Sequence, residues 1–252
     1  MRSTTPGPDR QAARRTRHVA IPPRVEPLLR TIGRMADELG LSAYAVGGCV
    51  RDWLLGATRT TDLDVTVEGS GIELAHTAAR ALGGTPSVHQ QFGTATITVN
   101  TARIDFASCR RETYASPAAY PDVSPGTLED DLFRRDFTIN AMAVALAPGR
   151  LGMLVDPFQG LRDLHRTTLR MLHGRSFLDD PSRILRGIRF AQRFGLRWER
   201  QTQRALEAAI AAGALGRLNA GRLQKELERM CGEPNPRACF ETFAALLNPV
   251  RR

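Results

Sequence analysis

Asp62 and Asp64 stand two residues apart in TDLDVTV, and on an extended strand that spacing sends both carboxylates off one face. Two carboxylates so placed can hold a hard cation, and Mg²⁺ takes such ligands together with phosphate oxygens. Just upstream, Tyr44, Ala45 and Val46 read as a short apolar strand, followed by Gly47 and Gly48 and then a helix carrying Arg51 and Asp52. Paired glycines between strand and helix let the backbone approach a bulky anion closely. A phosphate cradle beside a Mg²⁺ clamp points to chemistry on a nucleoside triphosphate, where metal ions neutralise charge and align attacking and leaving oxygens. Each half alone is a weak signal; joined within Tyr44–Val67, they reinforce one another.

Further along, Arg103–Phe106 reads as a strand with Asp105 among apolar neighbours. A carboxylate there is costly unless paired, hydrogen-bonded or metal-bound, so Asp105 is a candidate third acidic group; the plain alternative is a strand-end aspartate. In LEDDLFRRDFTINAMA, Arg134 and Arg135 offer guanidinium forks for phosphate oxygens and Asp136 an acceptor for sugar hydroxyls, although alone this is equally a solvated charge run. Cys49, Cys109, Cys231 and Cys239 form no C-x-x-C pair and are read as structural thiols of a reducing cytoplasm. The five histidines lack metal-ligand spacing.

Positioning these groups is within reach of a 252-residue chain with 42% hydrophobic and 24% charged residues, a composition of globular proteins. No apolar run approaches the length of a membrane span, so no membrane partner is expected. A net charge of +9, carried almost wholly by arginine with Lys225 the only lysine, favours a polyanionic partner such as nucleic acid. Residues 1–23 are basic, acid-poor and proline-interrupted, and read as a disordered leader, with an organellar targeting segment the weaker reading.

From Arg24, apolar residues recur at helical spacing up to Leu39, and a second helix spans Ile72–Leu82. Phe92–Asn100 alternates as a strand, Glu112–Gly126 reads as a long loop, and LGMLVD is strand-like. Helices are expected over Pro181–Phe194, Glu199–Ala212, Asn219–Met230 and Pro236–Leu247. The fold class is therefore α+β: a mixed-sheet head over residues 24–172, then an all-helical part over 173–252.

Four segments together resemble the class II nucleotidyltransferases, which include tRNA CCA-adding enzymes and bacterial poly(A) polymerases: GGCVRD with DLD, RRDFTINAMA, DPFQGLRDL, and DDPSRILRGIRFAQRFG. The resemblance implies a polymerase-β-like head followed by a helical neck that binds RNA and the nucleotide base. It assigns Gly47 and Gly48 to the triphosphate, with Arg51 and Asp52 supporting that loop. Asp62 and Asp64 become ligands of two catalytic Mg²⁺ ions; beside them Asp105, the candidate third acidic group, is the residue nominated to assist deprotonation of the attacking hydroxyl. Arg134, Arg135 and Asp136 select ribose, and Asn140, Arg186 and Arg189 join the nucleotide-binding set. Asp156 and Gly160 fall in the segment joining head to neck. The base-reading motif E-D-x-x-R stands here as Asp179, Asp180, Pro181, Ser182, Arg183, with Asp in place of the usual first Glu.

Physical chemistry supports that last assignment. Cytosine and adenine each present an amino donor beside a ring-nitrogen acceptor, which one carboxylate (Asp180) and one guanidinium (Arg183) satisfy together. Uracil and guanine present the reverse, and mispaired buried polar groups cost on the order of 1–3 kcal/mol each. The implied activity is template-independent transfer of CMP and/or AMP from CTP and ATP to the 3′ end of tRNA, in the cytoplasm. The alternatives are an A-adding enzyme, a poly(A) polymerase or a non-catalytic RNA-binding protein on the same scaffold. The chain ends soon after the neck-like segment RLNAGRLQKELERM, so most of the family's body and tail is expected to be missing, and a second subunit or homodimer is plausible.

Overall fold

A computed structural model describes residues 17–247; residues 1–16, most of the expected leader, and 248–252 lie outside the described residues. The chain enters along the sheet edge, where His18 bridges Met153 and the Val19 amide donates to the Gly152 carbonyl at 2.8 Å. Val19 and Ile21 are buried there. Residues 17–23 therefore form a packed arm, correcting the expectation of a disordered leader up to residue 23. Two apolar side chains and an edge bridge outweigh the basic composition of the segment.

Helix α1 (Glu26–Glu38) buries Leu29, Ile32 and Ala36 along one stripe. Strand β1 (Ser42–Val46), helix α2 (Gly48–Leu54) and strand β2 (Asp62–Glu68) come next, as the glycines and aspartates suggested. Helix α3 (Gly71–Leu82) starts at Ser70, whose hydroxyl accepts from the Glu73 amide at 3.1 Å, and packs with α1 on the sheet face away from the acidic residues. Strands β3 (Ser87–His89), β4 (Thr94–Val99) and β5 (Ala102–Ser108) continue the sheet. β3 is too short for sequence alternation to reveal.

The stretch expected to be one long loop is instead a hairpin. Strands β6 (Arg110–Thr113) and β7 (Asp122–Pro125) pair antiparallel, leaving only residues 114–121 between them. Pro125 is tolerated because this two-stranded ribbon has free edges, and Glu112 ties its base by accepting from Arg110 and Tyr114. Helix α4 (Leu128–Phe133), closed by a Thr127–Asp130 capping box, leads through a 3-10 turn at Thr138–Asn140 into β8 (Ala143–Ala145) and β9 (Leu154–Val155). The main sheet has the order β3-β4-β5-β2-β1-β8-β9, with β2 and β5 parallel and the other neighbours antiparallel.

Helix α5 (Gly160–His165) begins where Asp156 accepts from the amides of Gly160 (2.7 Å) and Leu161 (3.0 Å). Strand β10 (Thr168–Leu169) precedes α6 (Ser176–Asp179) and α7 (Ser182–Phe194), and β11 (Arg197–Trp198) pairs parallel with β10. The second part is thus not all helical, since a two-residue ladder pins the end of α7 back onto the chain leaving the sheet. Such short strands carry no periodic signal. Helices α8 (Arg200–Ala211), α9 (Ala220–Cys231) and α10 (Pro236–Leu247) complete the described chain.

One apolar core runs from the sheet into these helices. Phe137, Phe177, Phe190 and Trp198 join the two parts as an aromatic cluster with centroids 6.0–6.3 Å apart. Gly187 makes the contact possible: a Cβ there would stand 2.2 Å from Trp198 and 2.8 Å from Phe137. The joint between head and helices is therefore a packed interior, which fixes the walls of the cleft between them.

Candidate active site

A cavity of about 960 Å³ opens between the sheet and α7. Gly47, Gly48, Arg51, Asp64, Asp105, Arg134, Arg135, Asp136, Asn140, Asp180, Arg183 and Arg186 all line it. These residues come from segments more than a hundred positions apart. Asp52, Asp62 and Arg189 are not among its lining residues. Asp62 is exposed at the start of β2, Asp52 accepts from Arg51 (2.8 Å), and Arg189 is buried between Glu226 (3.0 Å) and Glu233 (2.8 Å).

Strand alternation builds the acidic wall. Leu63, Val65 and Val67 point into the core, so Asp62 and Asp64 leave the opposite face, and the parallel register sets Asp64 beside Asp105 of β5. Asp105 is half-exposed, accepting from the Thr96 hydroxyl and from Arg103 (3.1 Å), so it avoids the cost of an unpaired interior carboxylate. Asp64 opens on the cleft yet is crowded by protein. Burial raises its carboxyl above the ordinary range, Asp105 and Asp62 raise it further, and Arg135 opposes them.

Mutually repelling carboxylates with few countercharges fit a divalent cation. Among the described residues no three acidic, histidine or cysteine side chains already converge on a point. The remaining ligands of an ion at Asp64 and Asp62 would be water and triphosphate oxygens, as Mg²⁺ usually has it.

Opposite stands the cradle. Gly47 adopts φ +75°, and a Cβ there would lie 2.7 Å from Arg135 Nη1. Glycine thus lets a guanidinium lie against the backbone beside Asp64. Asp131, wholly buried, fixes both arginines by accepting from Arg134 (2.6 Å) and Arg135 (2.9 Å). Burial works to raise the Asp131 carboxyl, but Arg135 and Arg134 together hold it below the usual range. Arg135 Nε is buried without a hydrogen-bond partner among the described residues, a donor left over in the side chain that lies against Gly47. Asp131 escaped the sequence reading, though its place three and four residues before the arginines is a visible helical signal.

Asp136 is saturated from within. Its Oδ1 accepts from Asn140 (2.9 Å) and the Phe137 amide (2.8 Å), and its Oδ2 accepts from Arg186 (2.5 and 2.8 Å). Burial would raise this carboxyl, yet Arg186 and Asn140 hold it below the ordinary range. Arg51 continues the chain of contacts by donating to Asn140 (2.6 Å) while its guanidinium lies 4.4 Å from the Phe194 ring. In this arrangement Arg51, Asn140, Asp136 and Arg186 brace the cleft floor.

The third wall belongs to α7 and α9. Asp180 Oδ1 accepts from the Ser182 amide and hydroxyl and from Arg222 (2.5 Å), leaving Oδ2 without a hydrogen bond among the described residues. That oxygen lies 3.9 Å from Arg183 Nε. Arg222, Lys225 and Arg229 project from one face of α9 into the same cavity, a basic row that the sequence reading did not single out although the spacing in RLQKELER shows it.

The chain belongs to the poly A polymerase head domain family, which matches residues 43–170, half of its length. The mixed sheet with its helices is accordingly a polymerase-β-like nucleotidyltransferase fold. The A-adding tRNA nucleotidyltransferase of Halalkalibacterium halodurans is 42% identical over 222 residues, 87% of this chain and 52% of that protein. The CC-adding tRNA nucleotidyltransferase of Deinococcus radiodurans is 41% identical over 196 residues, 76% of this chain and 50% of that protein. The solved structure of the Thermotoga maritima CCA-adding enzyme complexed with tRNA-CCA superposes with a TM-score of 0.78 at 42% identity, covering 89% of this chain and 51% of that one. The chain thus spans about half the length of these relatives, and about a quarter of some others.

Proposed function

We propose that this chain carries the catalytic head and neck of a template-independent RNA nucleotidyltransferase, which adds CMP and/or AMP from CTP and ATP to the 3′ end of tRNA. The observation that carries this reading is a single cleft presenting Asp64 and Asp105 on one wall and the unspent Asp180 Oδ2 and Arg183 Nε–H on another. Acceptor and donor 3.9 Å apart match the amino group and ring nitrogen of cytosine and adenine, and oppose uracil and guanine.

The triphosphate would lie along Gly47 and Gly48, with Arg135 facing its oxygens. Asp62 and Asp64 would hold Mg²⁺, which when bound supplies charge neutralisation at the α-phosphate and lowers the pKa of the attacking hydroxyl. The 3′-oxygen of the RNA forms a bond to the α-phosphorus, the bond from that phosphorus to the bridging oxygen breaks, and pyrophosphate leaves. Asp105 accepts the hydroxyl proton, held in place by Thr96 and Arg103. Residues 24–172 would form the head and those from 173 the neck. No helix among the described residues is long and apolar enough to cross a membrane, and work on tRNA suits a cytoplasmic protein.

A second reading, A addition alone, is favoured by relatives named A-adding that are 42–47% identical. Labelled CTP and ATP, offered to tRNA transcripts ending before CCA, after C and after CC, separate the two. Extension of the shortest transcript by C establishes C addition, whereas AMP entering only the CC-ended transcript marks an A-adding enzyme. An untemplated tail on any RNA would replace both with poly(A) synthesis, and intact RNA binding without incorporation would leave a binding protein.

A further inference from the structure

Arg183 is gripped from behind. Its Nη1 donates to the Ser176 hydroxyl at 2.7 Å and to His173 Nε2 at 3.4 Å, and its Nη2 donates to the Arg134 carbonyl at 2.5 Å. A guanidinium has five N–H donors, so three are spent and Nε–H with one Nη2–H remain. The unspent Nε–H lies on the side of Asp180 Oδ2, 3.9 Å from it. The spent donors therefore orient the unspent ones.

Asp179 takes no direct part. Its Oδ1 accepts from Arg175 Nε at 3.2 Å, and its Oδ2 lies 3.9 Å from His173 Nδ1. Since Arg183 can only donate, His173 Nε2 must accept, which makes the imidazole neutral with its proton on Nδ1, toward Asp179. Burial, and then the Arg183 charge, push His173 below its ordinary pKa, while Asp179 pulls the other way. Ser176 is fully buried and lies one helical turn from Asp179 on α6.

We propose that His173 and Ser176 are positioning residues for base selection, holding the Arg183 guanidinium so that its two free donors meet the incoming base, with Asp179 orienting His173 in turn. The inference rests on Asp180 and Arg183 reading the base, as proposed above. The side-chain acceptors on Arg183 Nη1 are His173 and Ser176, while Asp179 hydrogen-bonds Arg175.

Equilibrium binding of ATP, CTP, GTP and UTP to the full chain in Mg²⁺ tests this without requiring turnover. Ser176→Ala and His173→Leu each leave Arg183 short of an acceptor, and are expected to lower the preference for ATP and CTP over GTP and UTP by about tenfold. His173→Gln, whose amide offers both an acceptor and a donor, retains the preference; a cavity of about 450 Å³ beside His173 accommodates the change. Arg183→Ala abolishes it. The proposal is overturned if Arg183→Ala removes the preference while Ser176→Ala and His173→Leu keep it, or if the latter two weaken all four nucleotides equally. A wild-type chain binding all four alike, or an Arg183→Ala chain that still discriminates, overturns base reading by Arg183 itself and this inference with it.

Discussion

A carboxylate in a concave cleft meets water on one side and protein on the others, and Asp64 is placed in that way. Burial and two neighbouring aspartates raise its pKa, so the fold favours its protonated form. The stability this gives is present below the ordinary value of 3.8 and is lost as pH rises through the folded value. At pH 7 without divalent cation the ionised group works against the fold. Asp64→Asn is therefore expected to melt slightly higher than wild type in EDTA, on the order of 1 °C because the cleft is open to solvent, while nucleotide transfer falls by about 10³-fold. Melting curves and single-turnover rates check the two halves separately. At Gly47, replacement by Ala forces a side chain into a positive-φ conformation (φ +75°, ψ −129°) that favours glycine and drives its Cβ into Arg135. A loss of about 1–2 kcal/mol in urea denaturation should accompany weaker nucleotide binding.

Between residue and fold stand the elements that deliver each group. The short α4 exists, in functional terms, to bring Asp131 under Arg134 and Arg135. Asp131→Asn keeps the shape but removes the countercharge, and breaking so buried a pair should cost about 3 kcal/mol in urea denaturation. Asp131 and Asp136 are both held below the ordinary carboxyl range, so their contribution to stability is present above pH 3.8 and is lost as pH falls through their folded values. Unfolding midpoints measured from pH 7 down to pH 3 should drop steeply below about pH 4, and less steeply for Asp131→Asn. If the two profiles were parallel, Asp131 would not be part of that acid response.

At the scale of the whole molecule, charge is the dominant feature. A net charge of +9 and the row of Arg222, Lys225 and Arg229 along the cleft predict RNA binding that weakens with salt. Arg222 pairs with Asp180 and Arg229 shares Glu226 with Arg189, whereas Lys225 makes no ion pair among the described residues. Lys225→Ala should lower RNA affinity severalfold and reduce the slope of log K against log salt by about one. An unchanged slope in a fluorescence titration would place Lys225 off the RNA path.

Residue type and period were enough to define the local structure around the chemistry. The glycine turn, the alternation that puts Asp62 and Asp64 on one face, and the amphipathic α7 are short-range consequences of both, which is why they were legible in the sequence. Asp105 was legible only as an anomaly, because its pairing with Asp64 is a strand register across forty residues. Three further matters needed the folded chain. Long-range packing turned a Pro- and Ser-rich stretch into the β6–β7 hairpin, through side-chain ties to Glu112 that composition does not encode. It placed residues 17–23 against the sheet, because a β-bridge and two buried apolar side chains need a partner surface that no local pattern reveals. It also set Arg189 between Glu226 and Glu233 instead of in the cleft, since which face of a helix meets substrate and which meets another helix is decided by its distant neighbours.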